Sequence, residues 1–110
     1  GGGNTASARK ASGAGRSEES IRKVMDRSKG SMYAVYNRAL RSNPNLRGTL
    51  TVRMVIEPSG KVTSVKLISS ELDDTMLEQK LLARIKMISF GAEDVARTTL
   101  NYSFDFLPYQ

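Results

Sequence analysis

Cysteine, histidine and tryptophan do not occur among the 110 residues. Without thiols there is no disulfide and no thiolate nucleophile. Without imidazole there is no conventional Ser-His-Asp triad, despite the many serines, and most transition-metal sites lose their usual ligand. No run of 18 or more apolar residues is present to cross a bilayer as a helix, and the opening GGGNTASARK lacks the apolar stretch of a signal peptide. Negative charge is also scarce: Lys and Arg number 17 against 11 Asp and Glu, for a formal charge of +6. That balance favours encounters with anionic partners without identifying them.

The remaining motifs of known chemistry are incomplete. Gly60-Lys61 lacks the earlier glycine of a phosphate loop, and Val62 stands where Ser or Thr should follow the lysine. Gly48, Gly60 and Gly91 are too widely spaced for a dinucleotide fingerprint. Asp73-Asp74, with Glu71 and Glu78 nearby, has neither calcium-loop spacing nor the cross-cleft placement of glycosidase carboxylates, and a helix start accounts for these acids. The expectation is a protein that is not an enzyme, with no catalytic residues, no cofactor and no metal.

What is present is a tail and five periodic segments. Residues 1–17, small and polar with three basic side chains, cannot repay the entropy of ordering and are expected to be a flexible linker; residues 18–110 are the domain. Ile21, Val24, Met25, Met32, Val35, Tyr36, Ala39 and Leu40 recur at helical spacing. Ser17 is the expected cap, Gly30 a point where the helix can divide, and Asn43-Pro44 its end. Leu50, Val52, Met54 and Ile56 alternate with Thr51, Arg53 and Glu57 as a strand, and Glu57 to Lys61 form a tight turn. The next strand changes phase between Val62 and Val65, which either a bulge or a second half-buried face would explain. A second helix carries Leu77, Leu81, Leu82, Ile85 and Ile88, with Thr75 and Glu78 spaced as a capping box and Asp73 and Asp74 as competing starts.

The last segment alternates most cleanly, with Leu100, Tyr102, Phe104 and Phe106 on one side and Asn101, Ser103 and Asp105 on the other. The order α-β-β-α-β predicts an α+β fold: a two-layer domain with a three-stranded antiparallel sheet, both helices on one face, and the first strand central. The last strand then offers a free edge to which an extended partner segment can add main-chain hydrogen bonds. The candidate partner-binding residues are Leu100, Asn101, Tyr102, Ser103, Phe104, Asp105, Phe106 and Leu107. Arg53 and Tyr36 are secondary candidates, although a solvated strand charge and a packed tyrosine explain them more simply.

From about Glu18 to Pro108 the chain resembles the C-terminal domain of TonB-family energy transducers, especially the AgmX/PglI-type branch. The resemblance lies in S-I-R-K-V and Y-N-R-A-L, in Asn43-Pro44-Asn45-Leu46-Arg47-Gly48, and in V-R-M-V-I-E-P-S-G-K-V. It continues through Ser69-Ser70, Leu77-Glu78, the Ile85 to Phe90 region and Tyr102-Ser103-Phe104-Asp105-Phe106. Val35 and Lys80 stand where members of that branch often carry cysteine, and Phe90-Gly91 replaces a common Phe-Pro. The resemblance implies a noncatalytic periplasmic interaction domain, tethered to the inner membrane in the full-length protein. Its implied partners are an outer-membrane or periplasmic protein and, through the missing N-terminal region, a proton-driven inner-membrane motor complex. The alternatives are a homodimer-forming scaffold of gliding or envelope machinery, and a nucleic-acid-binding module. The last is disfavoured because Tyr102, Phe104 and Phe106 have the parity of a core face and cannot also stack on bases.

Overall fold

The computed structural model describes residues 15–108. Ser17 begins the first helix, α1 (Glu18–Leu40): its side chain accepts a hydrogen bond from the Ser20 amide at 3.1 Å, while Glu18 and Glu19 sit at the positive end and Arg38 at the negative end. The helix does not divide at Gly30, whose open side has no neighbour within 4 Å. One exposed glycine costs about 1 kcal/mol of helix propensity, less than is gained by burying Met25 before it and Met32 after it.

The sheet order is β2-β1-β3, with β1 (Gly48–Ile56) between β2 (Val62–Ser70) and β3 (Thr98–Phe106), all antiparallel. Leu50, Val52, Met54 and Ile56 are completely buried, as their alternation requires, and Arg53 is exposed on the other face. Where the strand chemistry changes phase, β2 bulges: Ser64 and Val62 oppose Val55 and Ile56, leaving Thr63 as the extra residue. A second irregularity leaves Ile68 extra between Ser69 and Leu67. The turn between the strands is closed by Gly60 N–H to Glu57 O at 2.8 Å and Glu57 N–H to Lys61 O at 2.9 Å. Gly60 has φ 94 and packs flat against the Gly91 backbone, so a side chain there meets both strain and main chain. Lys61 is exposed beyond it, in a strand-to-strand turn.

The second helix, α2 (Thr75–Lys86), is capped by Asp74, not by Thr75. Asp74 is extended and its carboxylate accepts the Leu77 amide at 3.0 Å, making Thr75 the first helical residue. A carboxylate at the positive helix end outcompetes a neutral hydroxyl for this position. Leu77, Leu81 and Ile85 are buried with Ile21, Met25 and the inward residues of β1, while Leu82 and Ile88 pack at the margin. Both helices therefore cover one face of the sheet. Among the described residues no helix is long and apolar enough to cross a membrane.

The boundary of the fold lies further upstream than the sequence suggests. Of the expected linker, residues 1–14 lie outside the described residues, but Arg16 and Ser17 belong to the domain. The Arg16 side chain is fully buried, with Nη2 donating to the carbonyls of Glu57, Pro58 and Gly91 at 3.1, 3.2 and 2.7 Å. Nη1 donates to Phe90 O at 3.3 Å and Glu93 Oε2 at 3.2 Å, and the backbone N–H reaches Thr98 Oγ1 at 3.0 Å. Burying a guanidinium costs several kcal/mol, which this ring of acceptors offsets. The composition of the tail carries no trace of it, because the acceptors come from loops some 40 to 80 residues away.

Candidate functional site

β3 is paired on one side only, and its register decides what the other side offers. Thr49 of β1 accepts the Glu71 amide at 3.0 Å, so its backbone groups point toward β2. Its partner across the other ladder, Asp105, therefore belongs to a pair that exchanges no main-chain bonds. By the same alternation, Thr98, Leu100, Tyr102, Phe104 and Phe106 spend their backbone groups on β1, and Thr99, Asn101, Ser103 and Asp105 direct theirs outward. The register runs without irregularity from Gly48↔Phe106 to Ile56↔Thr98.

The candidate residues thus separate into two sets. Leu100, Phe104 and Phe106 are buried, and Tyr102 is half-buried with its ring centroid 4.9 Å from that of Phe104; their side chains serve the core. Those rings offer no stacking platform on the open face. Leu107 lies just past the strand and is half-buried. Asn101, Ser103 and Asp105 supply the outward main-chain groups, but their side chains are already engaged across the ladder. Arg53 Nε donates to Asn101 Oδ1 at 3.1 Å, Thr51 and Ser103 share a hydroxyl bond of 2.8 Å, and Thr49 Oγ1 donates to Asp105 Oδ1 at 2.8 Å. Such cross-strand pairs stiffen the edge strand in an extended form.

Two tyrosines mark the far end of the edge. Tyr36 is wholly buried, donates to Leu46 O at 2.6 Å and has its phenol pKa raised by burial, against the opposing charge of Arg47. It is a core residue and not available to a partner. Tyr33, which the apolar spacing of α1 did not single out, donates its hydroxyl to the Asp105 carbonyl. Its ring lies 5.3 Å from Phe106 and 6.3 Å from Tyr36. Tyr33 consequently closes the last outward acceptor, and among the described residues nothing bonds the outward main-chain groups of Thr99, Asn101 and Ser103. The signal in the sequence was a tyrosine at the margin of an apolar stripe, where a hydroxyl must find a partner.

At the other end, Glu57 accepts from Arg97 Nε at 3.0 Å and from Thr63 Oγ1 at 2.8 Å. These two bonds hold its carboxyl below the usual carboxylate range. Among the described residues no cluster of three or more acidic side chains could hold a metal ion.

The architecture is that of a two-layer α+β domain with a regular free edge on its last strand. The same fold is found in the solution structure of the TonB C-terminal domain of Helicobacter pylori, to which this chain is 22% identical, with a TM-score of 0.57 over 93% of this chain and 92% of that one. The likeness is one of fold. No protein-family model matches the sequence, and no curated protein matches it.

Proposed function

We propose that the domain is a noncatalytic protein-interaction module of a TonB-like energy transducer or envelope-spanning complex, and that it binds an extended partner segment as a fourth strand against β3. The observation that carries this reading is the uninterrupted row of outward main-chain groups at Thr99, Asn101 and Ser103, held straight by side-chain bonds to β1. A strand added there gains main-chain hydrogen bonds without displacing any existing ladder. The resemblance of the sequence and the likeness in fold to a TonB domain support a periplasmic setting, tethered to the inner membrane, with an outer-membrane or periplasmic protein as the partner. In that setting Arg16 is the fastening: tension on the upstream chain reaches the sheet at the hairpin turn and at the first residue of β3.

A photo-cross-linking residue at Thr99, introduced in the cells that make the protein, tests this by capturing the segment seated on the edge. A synthetic peptide of that segment should then slow hydrogen exchange at Thr99, Asn101 and Ser103, and leave Leu100, Tyr102 and Phe104 as slow as before. Exchange at the outward amides unchanged by a bound peptide overturns the reading. Protection that instead grows with protein concentration alone assigns the edge to a second copy and a scaffold role.

A further inference from the structure

An open groove of about 630 Å³ runs between α1 and α2, lined by the two helices and their flanking residues, with no strand residue. Its apolar surface comes from Val35 and Ala39 of α1 and from Leu77 and Ala83 of α2, with Met76 and Met87 at its ends. These methionines are 71% and 75% exposed, the most exposed large apolar side chains among the described residues. Arg38, Lys80 and Arg84 also line it, and a neighbouring recess shares Arg84 and Met87 and adds Arg27. The ion pairs among the described residues are Arg16–Glu93, Lys23–Glu19, Lys29–Asp26 and Arg97–Glu57, so none of these four cations is in one. The one acid in the lining, Asp74, caps α2 through Oδ1 and forms no ion pair with them.

We propose that this groove is a second docking surface, separate from the β3 edge, whose occupant is an acidic amphipathic helix of a partner protein. Both walls are helices whose backbone groups are satisfied internally, so recognition has to come from side chains; a strand would find no ladder here, and a helix arrives with its own backbone bonds made. Met76 and Met87 are eleven residues apart, a span of about 16 Å along α2, which matches about three turns of a guest helix. Ala39 and Ala83 permit close approach, and the two flexible thioethers can shape themselves to the guest's apolar stripe. The unpaired cations choose the sign of its flanks: Asp and Glu on either side of that stripe would meet Arg38, Lys80 and Arg84. A second copy presenting this same surface would set cation against cation.

The test is a titration of the 110-residue chain, labelled at methionine methyls and backbone amides, with a helical peptide of about 18 residues carrying a leucine stripe flanked by glutamates. Saturable shifts of the Met76 and Met87 methyls, with the Thr99, Asn101 and Ser103 amides unmoved, are expected. Lys80→Glu with Arg84→Glu should weaken that binding about tenfold or more while leaving the helical content intact, as should added salt. The same peptide with lysines for glutamates should not bind, nor should a scrambled peptide of equal charge. Equal affinity for the lysine or scrambled peptide overturns the proposal, as does the absence of methyl shifts. Methyls that respond only to phosphatidylglycerol vesicles, or only to rising protein concentration, also overturn it, assigning the groove to a lipid surface or to a second copy. Because the β3 amides are read separately, failure here leaves the strand-addition reading standing, and the converse.

Discussion

The two edges of this sheet have the same length and opposite characters. β2 and β3 each flank β1 for nine residues. Along β2, however, Thr63 and Ile68 are extra residues, so the outward main-chain groups at Val65 and Leu67 are bounded by bulges on both sides. Along β3 the outward groups recur at Thr99, Asn101, Ser103 and Asp105 without a break. Bulges blunt an edge against pairing, even where, as with Leu67 and Ile68, exposed apolar side chains would otherwise invite it. What leaves an edge open to strand addition is a regular register, not the exposure of its side chains.

The contrast can be broken first where both edges are anchored. Arg16 joins the β1–β2 turn to the start of β3, so Arg16→Met takes the guanidinium donors from the carbonyls of Phe90 and Gly91 and leaves those of Glu57 and Pro58 with only the Gly60 and Glu93 amides. It should cost about 3 kcal/mol or more in urea unfolding and speed exchange at that end of both edges. A stability within experimental error of the parent would show that the guanidinium is not what fastens the turn.

A sharper cut removes one outward donor. Ser103→Pro takes away an amide that faces the free edge and spares the ladder to β1, so circular dichroism should show the fold retained while affinity for an edge-binding peptide falls about tenfold. Leu67→Pro, on the bulged edge, should leave that affinity unchanged. Equal losses from both would mean that the peptide does not distinguish the edges.

Tyr33→Phe extends the free edge by one acceptor. Losing the bond to the Asp105 carbonyl should cost about 1 kcal/mol of stability, and the same peptide should bind more tightly because one further pairing site is open. Unchanged affinity would place the peptide short of Asp105.

The smallest effect is the one at Glu57, which reaches from the residue before β3 to the bulged residue of β2. Its folded pKa is lowered by Arg97 and Thr63, so its contribution is present above the ordinary carboxylate value and is lost as pH falls through the lowered one. Glu57→Gln should flatten that part of an acid-stability curve. A parent and variant with parallel curves would show the bonds to be without consequence.

Period-two alternation was legible in β1 and β3 because one face of each is buried and the other is wet, whereas the change of phase in β2 was open between a bulge and a second half-buried face until the pairing register decided for the bulge. The cap of α2 stayed open among Asp73, Asp74 and Thr75 because all three suit the role, and only the position of the backbone decides between adjacent oxygens. β3 is an edge strand, as the order of the elements led us to expect, but half of the eight candidate residues turn their backbone groups inward, since side-chain parity is written in the sequence whereas hydrogen-bond direction depends on which neighbour lies on which side. Tyr33 and Arg16 escaped notice for a related reason: each acts through carbonyls far along the chain, and a carbonyl leaves no mark in the residue code.

The amino-acid order by itself determined the five elements, their α-β-β-α-β succession, the buried parity of each strand and the exclusion of thiol and imidazole chemistry, because these depend on local periodicity and on which side chains exist at all. Tertiary structure alone decided that Arg16 is interior, that the edge stops at Tyr33, and that three unpaired cations border one apolar groove, because each of these is a meeting of residues distant in sequence.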